Sequence, residues 1–105
     1  MGGRNINGYT DTLDDVVVAL CRDYMRRERR TDNRRVMMEH KYINTKMCEA
    51  SGEIVGARYA EAMILEIGER IGYASSAMED ISESTYKRRK SDVKLAIARK
   101  LYLLD

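Results

Sequence analysis

The sequence contains no proline, phenylalanine or tryptophan, and its 105 residues include only two cysteines and one histidine. Without proline nothing interrupts a helical repeat, and the common residues here, among them alanine, leucine, methionine, arginine and glutamate, favour helices. β-Branched residues form no alternating runs; the three valines at positions 16–18 lie inside a helical repeat. We therefore predict an all-α protein.

The sequence also lacks long apolar runs. No stretch approaches the ~18 consecutive apolar residues of a membrane span, and the first residues lack the apolar segment of a secretory signal. Cys21 and Cys48 are therefore predicted to be reduced thiols of a cytoplasmic protein. A hydrophobic fraction of 44% and a charged fraction of 34% fit a single helical domain over residues 1–105. A domain of this length buries only about two-thirds of the surface that its unfolded chain exposes, so dimerisation would stabilise it.

The scarcity of histidine and cysteine argues against a metal site. Structural zinc needs four ligands, whereas His40, Cys21 and Cys48 are three and form no ligand motif. His40 lies on an apolar stripe and is predicted to be a packed or partly exposed side chain. The acids Glu61, Glu66 and Glu69 are predicted to be solvated rather than paired for acid–base chemistry. We expect no metal, no cofactor and no enzyme activity.

Apolar residues recur at helical spacing in four segments. The first follows a loose tail of residues 1–10 and predicts a helix over about residues 11–30, with Thr12 and Asp15 in a box that begins it. Its apolar positions are Leu13, Val16, Val17, Leu20 and Tyr24.

The remaining segments complete a bundle. Thr31-Asp32-Asn33 predicts a turn and cap before a second helix, which should end near Ser51-Gly52. A third helix is predicted to close at Gly72, and a fourth follows a short polar segment. The three stripes are Val36, His40, Ile43, Met47 and Ala50; Ala60, Ile64, Ile67 and Ile71; and Tyr86, Val93, Ile97, Leu101 and Leu104. The predicted fold is a small bundle of about four main helices.

The net charge of +2 conceals an uneven distribution. Residues 22–35 hold seven arginines and three acids, residues 49–83 hold eight acids and two bases, and residues 86–100 hold seven bases and one acid. Both basic segments are candidates for binding a polyanion. For the first we favour a solubilising helix end over phosphate binding, because cations also stabilise a helix C-terminus. Its cluster is Arg26, Arg27, Arg29, Arg30, Arg34 and Arg35.

The second basic segment has the order of a helix that reads DNA. Ser82 is placed to cap the helix, and Ile81 and Tyr86 are predicted to pack into the core and fix its angle. The edges of the DNA bases would then face the first turns of this helix. Basic side chains further along the helix would contact phosphates. The predicted DNA-binding residues are Ser82, Glu83, Ser84, Thr85, Lys87 and Arg88, with Lys90 and Lys94 on phosphates. The competing interpretation is an amphipathic helix that closes the bundle, with solvated lysines.

The order Ile-Ser-x-x-Thr-x-x-Arg, then Val-x-x-Ala-Ile-Ala-x-Lys-Leu, resembles the C-terminal end of ArpU-type late-gene transcription regulators. These are small proteins of phages and integrated elements in Gram-positive bacteria, related in style to sigma-factor DNA-binding domains. The resemblance covers about residues 81–101, a fifth of the chain. It implies a helix-turn-helix in residues 57–104 that binds double-stranded DNA in the cytoplasm, and a mobile-element origin.

Two registers of this motif are open. In the first, residues 75–80 precede the reading helix, although Glu79 stands where the family usually has leucine. In the second, Gly68 takes the small-residue position and Ser75-Ser76 begins the reading helix. The first is preferred, because Glu79 and Asp80 would make the second reading helix acidic and DNA phosphates disfavour that.

The same composition is also compatible with a protein of a different class. A small helical adaptor or inhibitor of a phage or mobile element would bind a host protein and make no contact with DNA. Exposed methionines suit such an adaptable surface, and the candidates are Met37, Met38 and Met63.

Overall fold

The computed structural model describes residues 8–29 and 33–104, which form five α-helices. The helices are α1 (Asp11–Arg22), α2 (Tyr24–Arg29), α3 (Arg34–Val55), α4 (Ala60–Gly68) and α5 (Glu83–Lys100), with 3₁₀ turns at Ala57–Tyr59 and Tyr73–Ser75. The predicted all-α bundle is confirmed. None of the helices in this part of the chain has both the length and the hydrophobicity to cross a bilayer.

The first predicted helix is two helices, because the chain breaks at Asp23 between α1 and α2. Helix α1 begins at Asp11, as predicted, but the box predicted at Thr12 and Asp15 does not begin it. Its cap is Thr10, whose hydroxyl accepts a hydrogen bond from the Leu13 amide at 3.1 Å. An N-cap hydroxyl satisfies an amide that the first helical turn leaves unpaired.

The end of the predicted tail belongs to the fold. Tyr9 packs against the core, and its hydroxyl donates to Asp14 at 2.8 Å. A methyl group added at Gly8 would lie 3.2 Å from the Leu104 side chain, so the two ends of the described chain meet. Residues 8–10 are therefore not loose, and residues 1–7 lie outside the described part.

The cap predicted before α3 is confirmed at Asn33, whose side chain accepts from the Val36 amide at 3.1 Å. Thr31 and Asp32 of the same signal lie outside the described residues. Helix α3 continues through Gly52 and ends three residues later. Gly56 terminates it with a φ of +89°, a left-handed conformation that glycine adopts without steric cost.

Helix α4 ends at Gly68 rather than at the predicted Gly72, because Arg70 takes a φ of +55° and turns the chain. Gly68 has a different role. A methyl group there would lie 2.6 Å from the Arg22 backbone nitrogen. No side chain fits that gap, so Gly68 lets the end of α4 touch the end of α1.

The core lies between α1, α3, α4 and α5. Within α5, the second half contributes most to this core, since Val93, Ile97 and Ala98 have no exposed surface. Other fully or almost fully buried apolar residues come from the three remaining helices: Val17, Cys21, Met47, Ala50, Met63, Ile64 and Ile67. Apolar burial of this kind is the main stabilising contribution to a small domain.

Candidate nucleic-acid interface

The start of α5 matches the sequence prediction. Ser82 is the N-cap, and its hydroxyl accepts from the Thr85 amide at 3.2 Å and donates to the Thr85 hydroxyl at 3.0 Å. Ile81 packs against the core, and Tyr86 is 1% exposed. The cap and the two anchors therefore fix where α5 begins and how it is oriented.

Five predicted contact residues are exposed around this start, and we call them the α5 surface: Ser82, Glu83, Ser84, Lys87 and Arg88. Lys87 pairs with Glu83 across one helical turn at 3.2 Å. Among the described residues Arg88 forms no salt bridge. Thr85, also predicted as a contact, is half-buried beneath the cap. The α5 surface thus presents two cations, one carboxylate and two hydroxyls to solvent.

Two further predicted contacts bond within the protein instead. Lys94 lies 2.8 Å from Asp14 of α1, and both side chains are largely shielded from solvent. Lys90 donates to the backbone carbonyl of Ile71, and burial lowers its pKa. Both lysines, predicted to hold phosphates, therefore tie α5 to its neighbours.

A buried carboxylate, that of Glu66, bonds to groups beneath the α5 surface. Glu66 of α4 is 5% exposed. It accepts hydrogen bonds from the Tyr86 hydroxyl at 2.8 Å, the Ser76 hydroxyl at 2.8 Å and the Ala77 amide at 2.7 Å. Burial, together with the hydrogen bond to Glu66, raises the pKa of Tyr86 to about 12. Glu66 thereby joins α4, α5 and the segment between them.

The prediction that Glu66 is solvated is therefore wrong, whereas Glu61 and Glu69 are exposed as predicted. The physical reason is that three donors replace the water that the carboxylate loses, which removes most of the cost of burial. A signal was present in the sequence. Glu66 follows Met63 by three positions and precedes Ile67, so it borders the apolar face of α4.

Neither predicted register gives a short helix-turn-helix turn. The segment between α4 and α5 runs over residues 69–82 and contains only the 3₁₀ turn Tyr73–Ser75. The second register is wrong, because Ser76 has extended backbone and no helix follows it before α5. In the first register the helix predicted to read DNA forms as α5, but no α-helix covers residues 75–80 in front of it. The nearest preceding helix is α4.

The segment over residues 69–82 is nevertheless well anchored. Met78 is buried, and the Tyr73 hydroxyl donates to the Ile81 carbonyl at 2.7 Å. The centres of the Tyr73 and Tyr86 rings lie 5.8 Å apart, and the rings are tilted relative to each other, an arrangement that aromatic pairs prefer. These contacts position the cap of α5 without a second helix.

The arginine cluster of residues 26–35 separates into different environments. Arg27 is 6% exposed; its guanidinium donates to Asn44 at 2.7 Å and to the Leu20 carbonyl at 2.6 Å. Burial lowers its pKa. Arg26 pairs with Asp23 at 3.0 Å and Arg35 pairs with Glu39 at 3.5 Å, both on the surface. The other described members, Arg29 and Arg34, are exposed, and Arg30 lies outside the described residues.

Neither interpretation of the cluster anticipated a buried arginine. A signal was again available, because the apolar stripe Val17, Leu20 and Tyr24 reaches Arg27 three positions later. Asn44 completes the site by donating to the Tyr24 carbonyl at 3.1 Å and to Glu28 at 2.7 Å. Arg27 is a structural residue of the α2–α3 contact.

The remaining candidates for chemistry are dispersed. His40 is half-buried, as predicted, and Cys21 and Cys48 are free thiols, also as predicted. Burial raises the pKa of Cys21 to about 12, while Cys48 lies 3.3 Å from the Tyr24 hydroxyl. Within residues 8–29 and 33–104 no three histidine, cysteine or acidic side chains are grouped to hold a metal ion.

Comparison of the chain with protein-family models, curated proteins and solved structures finds no match. The resemblance of residues 81–101 to ArpU-type regulators therefore stays a prediction.

Proposed function

We propose that the protein binds double-stranded DNA through the α5 surface, as a regulator of the phage or mobile-element type. The observation that carries this proposal is the outward position of the first turns of α5 on a firmly anchored helix end. Lys87 and Arg88 are exposed there, beside the hydroxyls of Ser82 and Ser84. A helix whose N-terminal residues reach base edges is a common way to read the major groove.

Electrostatics support the same end of the helix. Arginine and lysine recognise guanine edges and phosphates, and serine hydroxyls contact either bases or phosphates. The positive end of the helix dipole lies at the same turns and favours anions. Lys90 and Lys94 serve this surface indirectly, by fixing the direction in which α5 projects. The proposed contacts are therefore Ser82, Ser84, Lys87 and Arg88.

The test is duplex binding measured by fluorescence anisotropy over a range of salt concentrations. Affinity should fall steeply as salt increases, because neutralised phosphates release counterions. The double variant Lys87→Ala/Arg88→Ala should weaken binding by about tenfold or more, on the scale of base contacts. Its matched control is Arg34→Ala/Arg35→Ala, which removes the same charge from exposed positions of α3. Equal losses in both variants would show that binding does not use the α5 surface.

A second candidate function is a protein-binding adaptor or inhibitor that makes no DNA contact. The observation in its favour is an apolar surface at the start of α3, where Met37, Met38 and Tyr42 are 39%, 59% and 54% exposed. Met63, predicted to join such a surface, is instead fully buried in the core. Flexible methionine side chains adapt to varied partners.

A gel shift separates the two functions. Random and phage-derived duplexes at low salt should both shift with micromolar protein if the α5 surface binds DNA. If no duplex shifts, the adaptor function becomes the better explanation. A Met37→Glu/Met38→Glu variant would then be expected to lose its protein partner while keeping its fold.

A further inference from the structure

An open groove lies beside the middle and end of α3, away from the α5 surface. Its volume is about 670 Å³, and it is bounded by α2, α3 and the start of α4. The floor is formed largely by Tyr24, Cys48, Gly52 and Ala60. The groove is therefore shallow and apolar at its base, and small residues allow a partner to approach the backbone of α3 closely.

The rim of this groove has charge of one sign. Glu28, Glu49 and Glu53 lie along it, and no lysine or arginine is among the described residues that line it. All three carboxylates have partners: Glu28 accepts from Asn44 at 2.7 Å, Glu49 pairs with Lys46 at 3.7 Å, and Glu53 pairs with Lys100 at 2.8 Å. Both lysines lie outside the groove lining, and partly exposed ion pairs of this kind are weak enough for a cationic partner to compete with them. An apolar floor between fixed carboxylates is complementary to a helix that is apolar on one face and cationic at its flanks.

Gly52 is the feature of the floor that packing alone does not explain. It lies inside α3, where glycine is less favourable than alanine. A methyl group there would meet Ala60 at an ordinary contact distance of 3.7 Å, so the fold does not require glycine at this position. The absence of a side chain deepens the groove where an incoming helix would lie.

We propose that this groove binds a cationic amphipathic helix of a partner protein. Helix-in-groove recognition uses apolar anchors at successive turns and charged flanks. A small ligand fits less well, because pockets for such ligands enclose most of the ligand surface and this groove is open. The proposal does not depend on DNA binding. Lys87 and Lys100 are 13 positions apart on α5, or about 20 Å, so both surfaces can be occupied together.

The test uses the full chain and a fluorescein-labelled peptide of eighteen residues, with leucines at helical spacing and lysines on the flanks. The control peptide has the same composition in scrambled order. We expect saturable binding of the amphipathic peptide with one peptide per protein. Bound peptide should also slow alkylation of Cys48 by iodoacetamide, while buried Cys21 serves as the internal reference.

Two protein variants test the location. Glu49→Lys should weaken binding by about tenfold, whereas Glu39→Lys, the same reversal on α3 outside the groove, should change it less than about twofold. Gly52→Leu should abolish binding, because its side chain fills the floor of the groove. If Gly52→Leu fails to fold, the Glu49→Lys comparison and the Cys48 protection still decide the question.

Three results would overturn the proposal. Equal binding of the scrambled peptide would mean that charge alone is responsible. Equal weakening by the two lysine variants would place the contact elsewhere. A concentration-dependent dimer in sedimentation that Gly52→Leu or Glu49→Lys abolishes would assign the groove to a second copy of this chain.

Discussion

The two basic segments, residues 22–35 and 86–100, have the same number of cations but place them in different ways. The first surrounds the break between helices, and its buried member, Arg27, bonds to neutral groups of α1 and α3. The second lies entirely on one long helix, α5. Its exposed Lys87 and Arg88 lie at the free start, while Lys90 and Lys94 turn towards the protein. Both segments therefore include an exposed helix start, with Arg34 and Arg35 on α3 and with Lys87 and Arg88 on α5. Only in the second segment are further cations of that same helix bonded to neighbouring parts of the protein.

Charge density along a sequence therefore does not identify a binding surface. A cation near a helix break can be used to join the two helices, as Arg27 is, because its long side chain reaches backbone carbonyls of the neighbouring turn. A cation on a continuous helix is directed by helical periodicity, so its neighbours share its face.

The largest effect is expected at the partner of Arg27. Asn44→Ala should lower the free energy of unfolding by about 2–4 kcal/mol, because it leaves a buried guanidinium without its closest side-chain acceptor and removes the hydrogen bonds that Asn44 donates to the Tyr24 carbonyl and to Glu28. Chemical denaturation measures this change. Thr45→Ala, at the exposed neighbouring position, is the control and should stay within about 0.5 kcal/mol of the wild type. A similar result for both variants would mean that Arg27 does not need this site.

A smaller effect is expected at the anchor of the second segment. Lys94→Met should lower the free energy of unfolding by about 1 kcal/mol at neutral pH. Burial opposes ionisation of Asp14, but hydrogen bonds from Lys94 and Tyr9 hold its pKa below 3.8. A group with a lowered folded pKa stabilises the fold above its unfolded pKa, and this contribution disappears as the pH falls through the folded value.

The difference in the free energy of unfolding between Lys94→Met and the wild type should therefore have its full size above about pH 5. It should shrink as the pH falls below 3.8, the pKa of Asp14 in the unfolded chain. Urea denaturation at several pH values provides the measurement. A difference that is independent of pH would indicate that the lysine contributes through packing of its aliphatic chain rather than through Asp14.

The smallest effect on stability is expected for the exposed pairs. Lys87→Ala/Arg88→Ala and Arg34→Ala/Arg35→Ala should each change the free energy of unfolding by no more than about 0.5 kcal/mol per residue, because all four side chains are solvated. Thermal unfolding checks this. If the first pair lost DNA affinity only together with stability, its loss would reflect the fold rather than contact with DNA.

The sequence predicted the fold class and the helix starts better than the helix ends. The caps at Asn33 and Ser82 are local, because each side chain bonds an amide three residues ahead, and both could be found from the sequence. The ends of α3 and α4 were misplaced. Gly52 and Gly72 suggested that the helices end there, but the chain turns at Gly56 and at Arg70. The left-handed conformation of Arg70 is one that arginine does not prefer, so its sequence position does not indicate it.

The candidate site was predicted in part for a related reason. Helical periodicity was enough to direct Tyr86 inwards and Arg88 outwards. Whether Lys94 was free depended on Asp14, 80 positions earlier in the chain, and no local pattern contains that pairing. The groove beside α3 was not predicted at all, because its lining comes from three separate helices.

By itself the sequence determined that the chain is helical, where α5 begins and that its two basic segments flank an acidic middle, since propensity, capping and composition are local properties. The tertiary structure alone decided which charged groups are buried. Helical periodicity places Glu66 and Arg27 at the border of an apolar face, but they become structural only because donors or acceptors from other segments replace their water. Burial of a charge depends on what packs against it, and that is fixed only when the whole chain folds.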